Sequence, residues 1–334
     1  MTRSLQLILS LLILVTIQSC FKEDKAIPYH PRGDVKTDTI GMTDTYLYQV
    51  FFSLDSGEVI KTVVKTTYDL GFECSTSGWH VLLNTSNFMK AADLGVVPFG
   101  VKHDTTGTTL RFDKSDGNPD STAVGNWFTV SGSDTVSNNH VYAVSRGLDE
   151  FGNPLGVYQV IFDSLKRGTY YFRYTLLSGG AAKSGAVHKA PGVNYAWFSF
   201  SVEATIDVEP LPASYDLLFT QYTTLLYTDQ GIPYPYLVTG VLSNRNGVEV
   251  AFDTLHAFSS ITRSIADGLT YSANIDEIGY FWKYYNFNTG AYTISPKNCY
   301  IIHTVSGLFY KLRFIGFYNK NGSKGYPSFE YEKL

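Results

Sequence analysis

Beyond residue 45 this sequence contains no long segment with a helical period, and that narrows what it can fold into more than any other feature. Short runs of alternating apolar and polar residues recur instead. Turn signals such as Asp116-Gly117-Asn118-Pro119, Gly152-Asn153-Pro154 and Asn246-Gly247 break them. Leu47–Leu54, Tyr170–Leu176, Trp197–Val202 and Phe309–Tyr318 read as strands, and His256–Ile265 is the one candidate for a short helix. The 25 Tyr and 22 Phe, with Thr and Val, suit a pleated, half-buried surface. The expected class is all-β, mostly antiparallel, with few or no helices.

Four blocks occur twice in the same order. Phe52-Ser53-Leu54 and then Tyr68-Asp69-Leu70-Gly71-Phe72 are matched by Phe198-Ser199-Phe200 and then Tyr215-Asp216-Leu217-Leu218-Phe219. Tyr142–Gly147 echoes Tyr300–Thr304, and Tyr170–Tyr174 corresponds to Phe309–Phe314. These matches imply two tandem β units, 45–190 and 191–334, with the strand Tyr195–Glu203 assignable to either.

The N-terminus carries a different signal. Arg3 precedes an apolar run, Leu5–Val15, that is too short to span a bilayer and fits the core of a secretory signal peptide. Ile17-Gln18-Ser19-Cys20 then has the form cut by lipoprotein signal peptidase. The expectation is a signal peptide over 1–19, acylation of Cys20, and a polar tether over 20–44. Two or three acyl chains on Cys20 would anchor the mature chain stably.

A net charge of −4 gives no electrostatic case for nucleic acid. Cys74 and Cys299 could pair in an oxidising compartment, but no cysteine framework surrounds them, and two buried free thiols are expected. The sequence lacks a His-Glu-x-x-His helix, a Gly-x-Ser-x-Gly elbow and a phosphate-cradling glycine loop, so it does not read as an enzyme. Asp113, Asp116 and Asp120 share one loop, yet their spacing is not that of an EF-hand, and a solvated turn is expected.

The second unit resembles the HmuY-like lipoproteins of Bacteroidota. The resemblance lies in Tyr215-Asp216-Leu217-Leu218-Phe219, in Pro235–Gly240, in Pro296–Ile302, and in Gly307 with Tyr310–Phe314 through Tyr331. The first unit matches more loosely, through Tyr68–Phe72 and Tyr170–Tyr174. This resemblance implies an antiparallel β fold, a place on the outer membrane at the cell surface, and haem capture with delivery to a TonB-dependent transporter. Phe21-Lys22-Glu23-Asp24-Lys25 also resembles the short Lys-plus-acidic signal for surface export in such lipoproteins.

A haem-binding cleft needs axial ligands, usually His or Met and sometimes Tyr. The resemblance places a second axial ligand near Tyr284-Tyr285, where no histidine stands. Trp282, Tyr284 and Tyr285, in the cluster Phe281–Tyr285 beside Asn286 and Asn288, are therefore the candidate ligand-binding residues. The same aromatics and amides could instead contact a glycan or a protein in an adhesion module. Pro233 and Pro235 argue against a central strand, so Tyr234 and Tyr236 are expected on a stiff loop. His30 falls in the tether, His80 and His103 among polar turns, His140 and His303 near strands, His188 in a loop, and His256 on the candidate helix. Met42 and Met89 read as tether and core residues. No metal ligand is assignable.

Overall fold

The computed structural model describes residues 34–131 and 134–334. The expected signal peptide, Cys20 with its acylation, and His30 lie outside the described residues. The first strands are β1 (Lys36–Thr39), β2 (Tyr48–Ser53), β3 (Glu58–Val64), β4 (Leu70–Glu73), β5 (Val81–Leu83), β6 (Lys90–Asp93), β7 (Phe128–Ser131) and β8 (Asp134–Ser137). Next come β9 (Tyr142–Ser145), β10 (Val157–Lys166), β11 (Thr169–Leu176), β12 (Lys183–His188), β13 (Tyr195–Ser199), β14 (Ala204–Ile206) and β15 (Leu217–Tyr227). The last are β16 (Pro233–Ser243), β17 (Glu249–Asp253), β18 (Lys283–Asn286), β19 (Ala291–Ile294), β20 (Cys299–His303), β21 (Phe309–Tyr318) and β22 (Lys324–Lys333). A short helix, α1 (Arg263–Asp267), overlaps only the end of the expected helical segment and leaves His256 outside it. The all-β class holds.

The strands form two larger layers twice over. A five-stranded sheet in the order β6-β9-β10-β11-β12 packs with a four-stranded sheet, β5-β4-β13-β14, around Phe72, Val144, Phe162, Phe172 and Phe198. A second five-stranded sheet, β17-β20-β21-β22-β1, packs with β16-β15-β2-β3 around Phe52, Phe219, Leu312, Phe314 and Phe329. The period-2 pattern builds these cores directly. In β21, for example, Leu312 and Phe314 are buried while Ile315 is exposed.

The two halves do not divide at residue 190. Phe52 of β2 pairs with Leu217 of β15, and Lys36–Thr39 pairs with Tyr331–Ser328 of β22, so the N-terminal strands complete the second half. The first half, from β4 to β14, is nested between the two parts of the second. In the second half β1, β2 and β3 occupy the places that β12, β13 and β14 take in the first. A backbone ladder is indifferent to which end of the chain supplies a strand. Tyr195–Glu203 accordingly belongs with the first half, where Trp197 lies opposite Gly71.

The same change shortens the expected tether. Ile40 and Met42 are fully buried in the second core, and β1 begins at Lys36. The polar Lys36-Thr37-Asp38-Thr39 read as tether because its charges hid a strand; an edge strand tolerates them.

Matching hydrogen bonds recur in the two halves. Leu54 N donates to Asp216 Oδ2 at 2.8 Å, and Phe200 N donates to Asp69 Oδ2 at 2.7 Å. Asn244 Nδ2 donates to Tyr215 O, and Asn84 Nδ2 to Tyr68 O, both at 2.9 Å. The block match of Tyr170–Tyr174 with Phe309–Phe314 is off by one strand, because β11 stands where β22 does and β21 stands where β10 does. Cys74 and Cys299 are both free thiols, the first half-buried and the second buried.

Candidate functional site

Two hairpins of the second half carry most of its exposed aromatic rings. The first is β15–β16, paired from Leu217↔Ser243 out to Tyr227↔Pro233. Only Leu217–Phe219 also pair with β2; Thr220–Thr223 are buried, with Thr223 Oγ1 donating to Thr85 O, and the outer end, Thr224–Tyr236, forms an exposed finger. Tyr234 and Tyr236 therefore stand on a strand and not on the expected loop. Pro233 and Pro235, two residues apart on an edge strand, direct their missing N–H groups away from β15, where none is needed.

The second hairpin is β18–β19, in which Tyr285 lies opposite Tyr292. Its turn forms at Thr289-Gly290, with Gly290 at φ +67° and its N–H donating to Asn286 O. Asn286 spends its side-chain oxygen on Asn288 N at 3.0 Å, so this amide builds the turn.

Two glycines bring the hairpins together. Val241 N and Gly279 O bond at 2.9 Å, and a Cβ on Gly240 would lie 2.3 Å from that same Gly279 O. Gly279 itself sits at φ +53°. This close approach sets Trp282 and Lys283 beneath β16 and places β18–β19 beside the finger.

The three candidate residues part company here. Trp282 is 1% exposed, stacks on Phe314 at 4.0 Å, and donates from Nε1 to Gly279 O at 3.1 Å. It is a core residue. Tyr284 and Tyr285 are 53% and 43% exposed, and strand alternation sends them to opposite faces. Tyr285 points to the side of Tyr292 (5.2 Å between ring centroids) and Phe287 (5.1 Å). Tyr236 is close enough to Tyr292 to raise its phenol pKa, although burial is the larger cause. Tyr234 stands in the same relation to Tyr280, which stacks on Phe281 at 4.3 Å. Three groups of rings, Tyr280 with Phe281, Tyr234 with Tyr236, and Tyr285 with Phe287 and Tyr292, make up the aromatic belt. Sequence reading singles out Tyr234 and Tyr236 but sets them on a loop, and it does not bring them together with the β18–β19 hairpin.

The described histidines are engaged elsewhere. His140 contacts Asp93, His188 contacts Thr169, His256 contacts Asp253, and His303 contacts Glu249. His103 bonds to Pro98 O, and His80 to Glu73. Met89 is fully buried, as expected of a core residue.

Behind the belt lies an unusual cation. Lys283 is buried, bonds to Thr239 O, and sits 4.2 Å from the Trp282 ring centroid and 4.8 Å from that of Phe317. Burial pushes its ammonium down to about 7. A base lowered on folding binds fewer protons in the folded state, so its penalty is full below pH 7 and fades as pH rises toward 10.5. Lys283→Met is therefore expected to stabilise the protein by about 1–3 kcal/mol at pH 6. Denaturant melts at pH 6 and pH 10 check this: the gain should disappear at the higher pH, and a gain equal at both would refute the account.

The HmuY protein family matches residues 45–331 of this chain. Among solved structures, apo PinO from Porphyromonas gingivitis is 10% identical, covers 90% of this chain and 97% of its own, and gives a TM-score of 0.31. The apo HmuY analogue from Tannerella forsythia is 10% identical, covers 90% and 95%, and gives 0.26. No curated protein matches.

Proposed function

The chain belongs to the HmuY family, and on that premise we propose that it captures haem on the aromatic belt of the two hairpins. Family members bind haem and are not enzymes, and neither is this chain. The belt supports the reading because Tyr236, Tyr285 and Phe287 present flat apolar faces of the kind a porphyrin ring stacks on. The oxygen donors there are phenols, and a tyrosine oxygen is an accepted ligand of ferric haem. In this reading Tyr285 supplies it. In this reading a lipid on Cys20 holds the chain at the outer membrane, facing outward, and the cargo passes to a TonB-dependent transporter.

One observation favours a second reading. Phe281 and Phe287 are 67% and 88% exposed, so part of the belt faces open solvent in the manner of a surface that contacts a glycan or a protein.

Haemin titration of the chain lacking residues 1–20 tests the first reading. A saturable, shifted Soret band at one equivalent is expected. Tyr236→Ala should weaken it about tenfold, the scale of one lost ring contact, and Tyr285→Ala should abolish the shifted band, because the iron loses its phenol ligand. Tyr284→Ala, on the opposite face, should change little. A spectrum no different from free haemin beside an inert protein would discard haem capture and leave the adhesion reading.

A further inference from the structure

The turn joining β4 to β5 holds a histidine whose second nitrogen has nothing to bond. Glu73 Oε2 lies 2.5 Å from His80 Nδ1 and also accepts Trp79 N at 3.2 Å and His80 N at 3.3 Å, while Ser75 Oγ donates to Oε1 at 2.5 Å. With a carboxylate against it, Nδ1 is the donor, and Nε2 is the nitrogen whose lone pair is left to bind an ion. His80 is 9% exposed, and Nε2 has no hydrogen-bond partner. The ring cannot turn to find one, because it stacks on Trp79 at 4.0 Å, and Trp79 O accepts Trp127 Nε1 from the core at 3.0 Å.

Facing that lone pair is Asp120 Oδ1, 3.5 Å away. The distance is too long for a hydrogen bond. It is close to the roughly 3.3–3.4 Å that separates two ligands of one tetrahedral ion with bonds of about 2.0–2.1 Å. We propose that His80 Nε2 and Asp120 Oδ1 are the two protein ligands of a divalent transition-metal site, with Glu73 as the carboxylate that orients the histidine.

An imidazole–carboxylate pair selects zinc-like ions over calcium or magnesium, which prefer all-oxygen shells. Among the described residues no group of three or more His, Cys, Asp or Glu surrounds a common point, so water completes the coordination. Asp120 is 81% exposed in its side chain, which leaves the ion open to that water. The site also has a structural consequence. Asp120 lies in the loop that Asp113 anchors through Leu83 N at 2.6 Å and Ala123 N at 2.7 Å, so the ion clips this loop to the β4–β5 turn.

Calorimetric titration of the unlipidated chain with zinc chloride tests the site, in a Cys20→Ser background that removes the Cys20 thiol as a competitor. One saturable equivalent and a higher melting temperature with zinc are expected. Asp120→Asn, at an exposed side chain, should keep the metal-free melting temperature and weaken binding at least tenfold. Glu73→Gln should weaken it 10–100-fold, the usual loss when an outer-shell partner is removed. His80→Gln should abolish it. Absence of saturable uptake, or uptake unchanged in Asp120→Asn, would overturn the proposal.

Discussion

Arg146→Met is expected to lower the unfolding free energy by roughly 3–5 kcal/mol, seen as a lower denaturant midpoint at unchanged slope. Arg146 follows β9 and reaches across the first core to Asp69. Its Nε donates to Oδ1 at 2.7 Å and its Nη2 to Oδ2 at 3.2 Å, with a further bond to Ser201 Oγ at 2.7 Å. The Asp69 side chain has no exposed surface. Burial pushes its carboxyl upward, and the guanidinium is the strongest influence in the other direction. Without Arg146 a buried carboxylate keeps the Phe200 N–H but loses its counter-charge.

The other half supplies an internal control. Asp216 holds the equivalent position, accepts Leu54 N, and has no ion pair among the described residues; burial pushes it up to about 6. A carboxyl raised on folding contributes most at low pH, and that contribution is lost as pH climbs from about 4 through 6. Asp216→Asn should therefore be far milder than Arg146→Met and should flatten the stability profile over that window. A loss under 1 kcal/mol for Arg146→Met would mean that Asp69 is already protonated and that the pair does not hold the core.

Trp282→Ala is expected to cost a similar 3–5 kcal/mol, the range for emptying a large aromatic from a core. Its indole is stacked on Phe314, edge-on to Phe317 at 5.6 Å, and shields the Lys283 ammonium. Tyr285→Ala, at a 43% exposed ring, should cost under about 1 kcal/mol. Chemical denaturation of both variants beside haemin titration separates packing from binding. If Trp282→Ala kept full stability and lost haemin, the indole would be a binding residue and its assignment to the core would be wrong.

Why Trp282, Tyr284 and Tyr285 looked alike in sequence is instructive. Adjacent aromatics in a strand alternate faces, but alternation alone does not say which face is the core. Gly240 and Gly279 decided it, by letting the 279–283 segment press against β16. The finger tyrosines were misjudged for a related reason. Two prolines rule out a central strand, and sequence does not tell an edge strand from a loop. The charges of Lys36–Thr39 suggest a tether and hide a strand whose partner, β22, lies at the far end of the chain.

The all-β class, the turn at Asn246-Gly247, the recurring Tyr-Asp-Leu blocks and the burial of Met89 follow from local chemistry, and the sequence alone determined them. Alternation, left-handed turn residues and side-chain volume act over a few residues, so they can be read from a few residues. Strand order was decided only in the folded chain. Backbone ladders bond any strand to any other, and the choice of β1–β3 to complete the second half rests on which apolar faces fill which core. The meeting of His80 with Asp120, forty residues apart in sequence, has the same origin: each is held by its own turn, and only packing brings Nε2 within 3.5 Å of Oδ1.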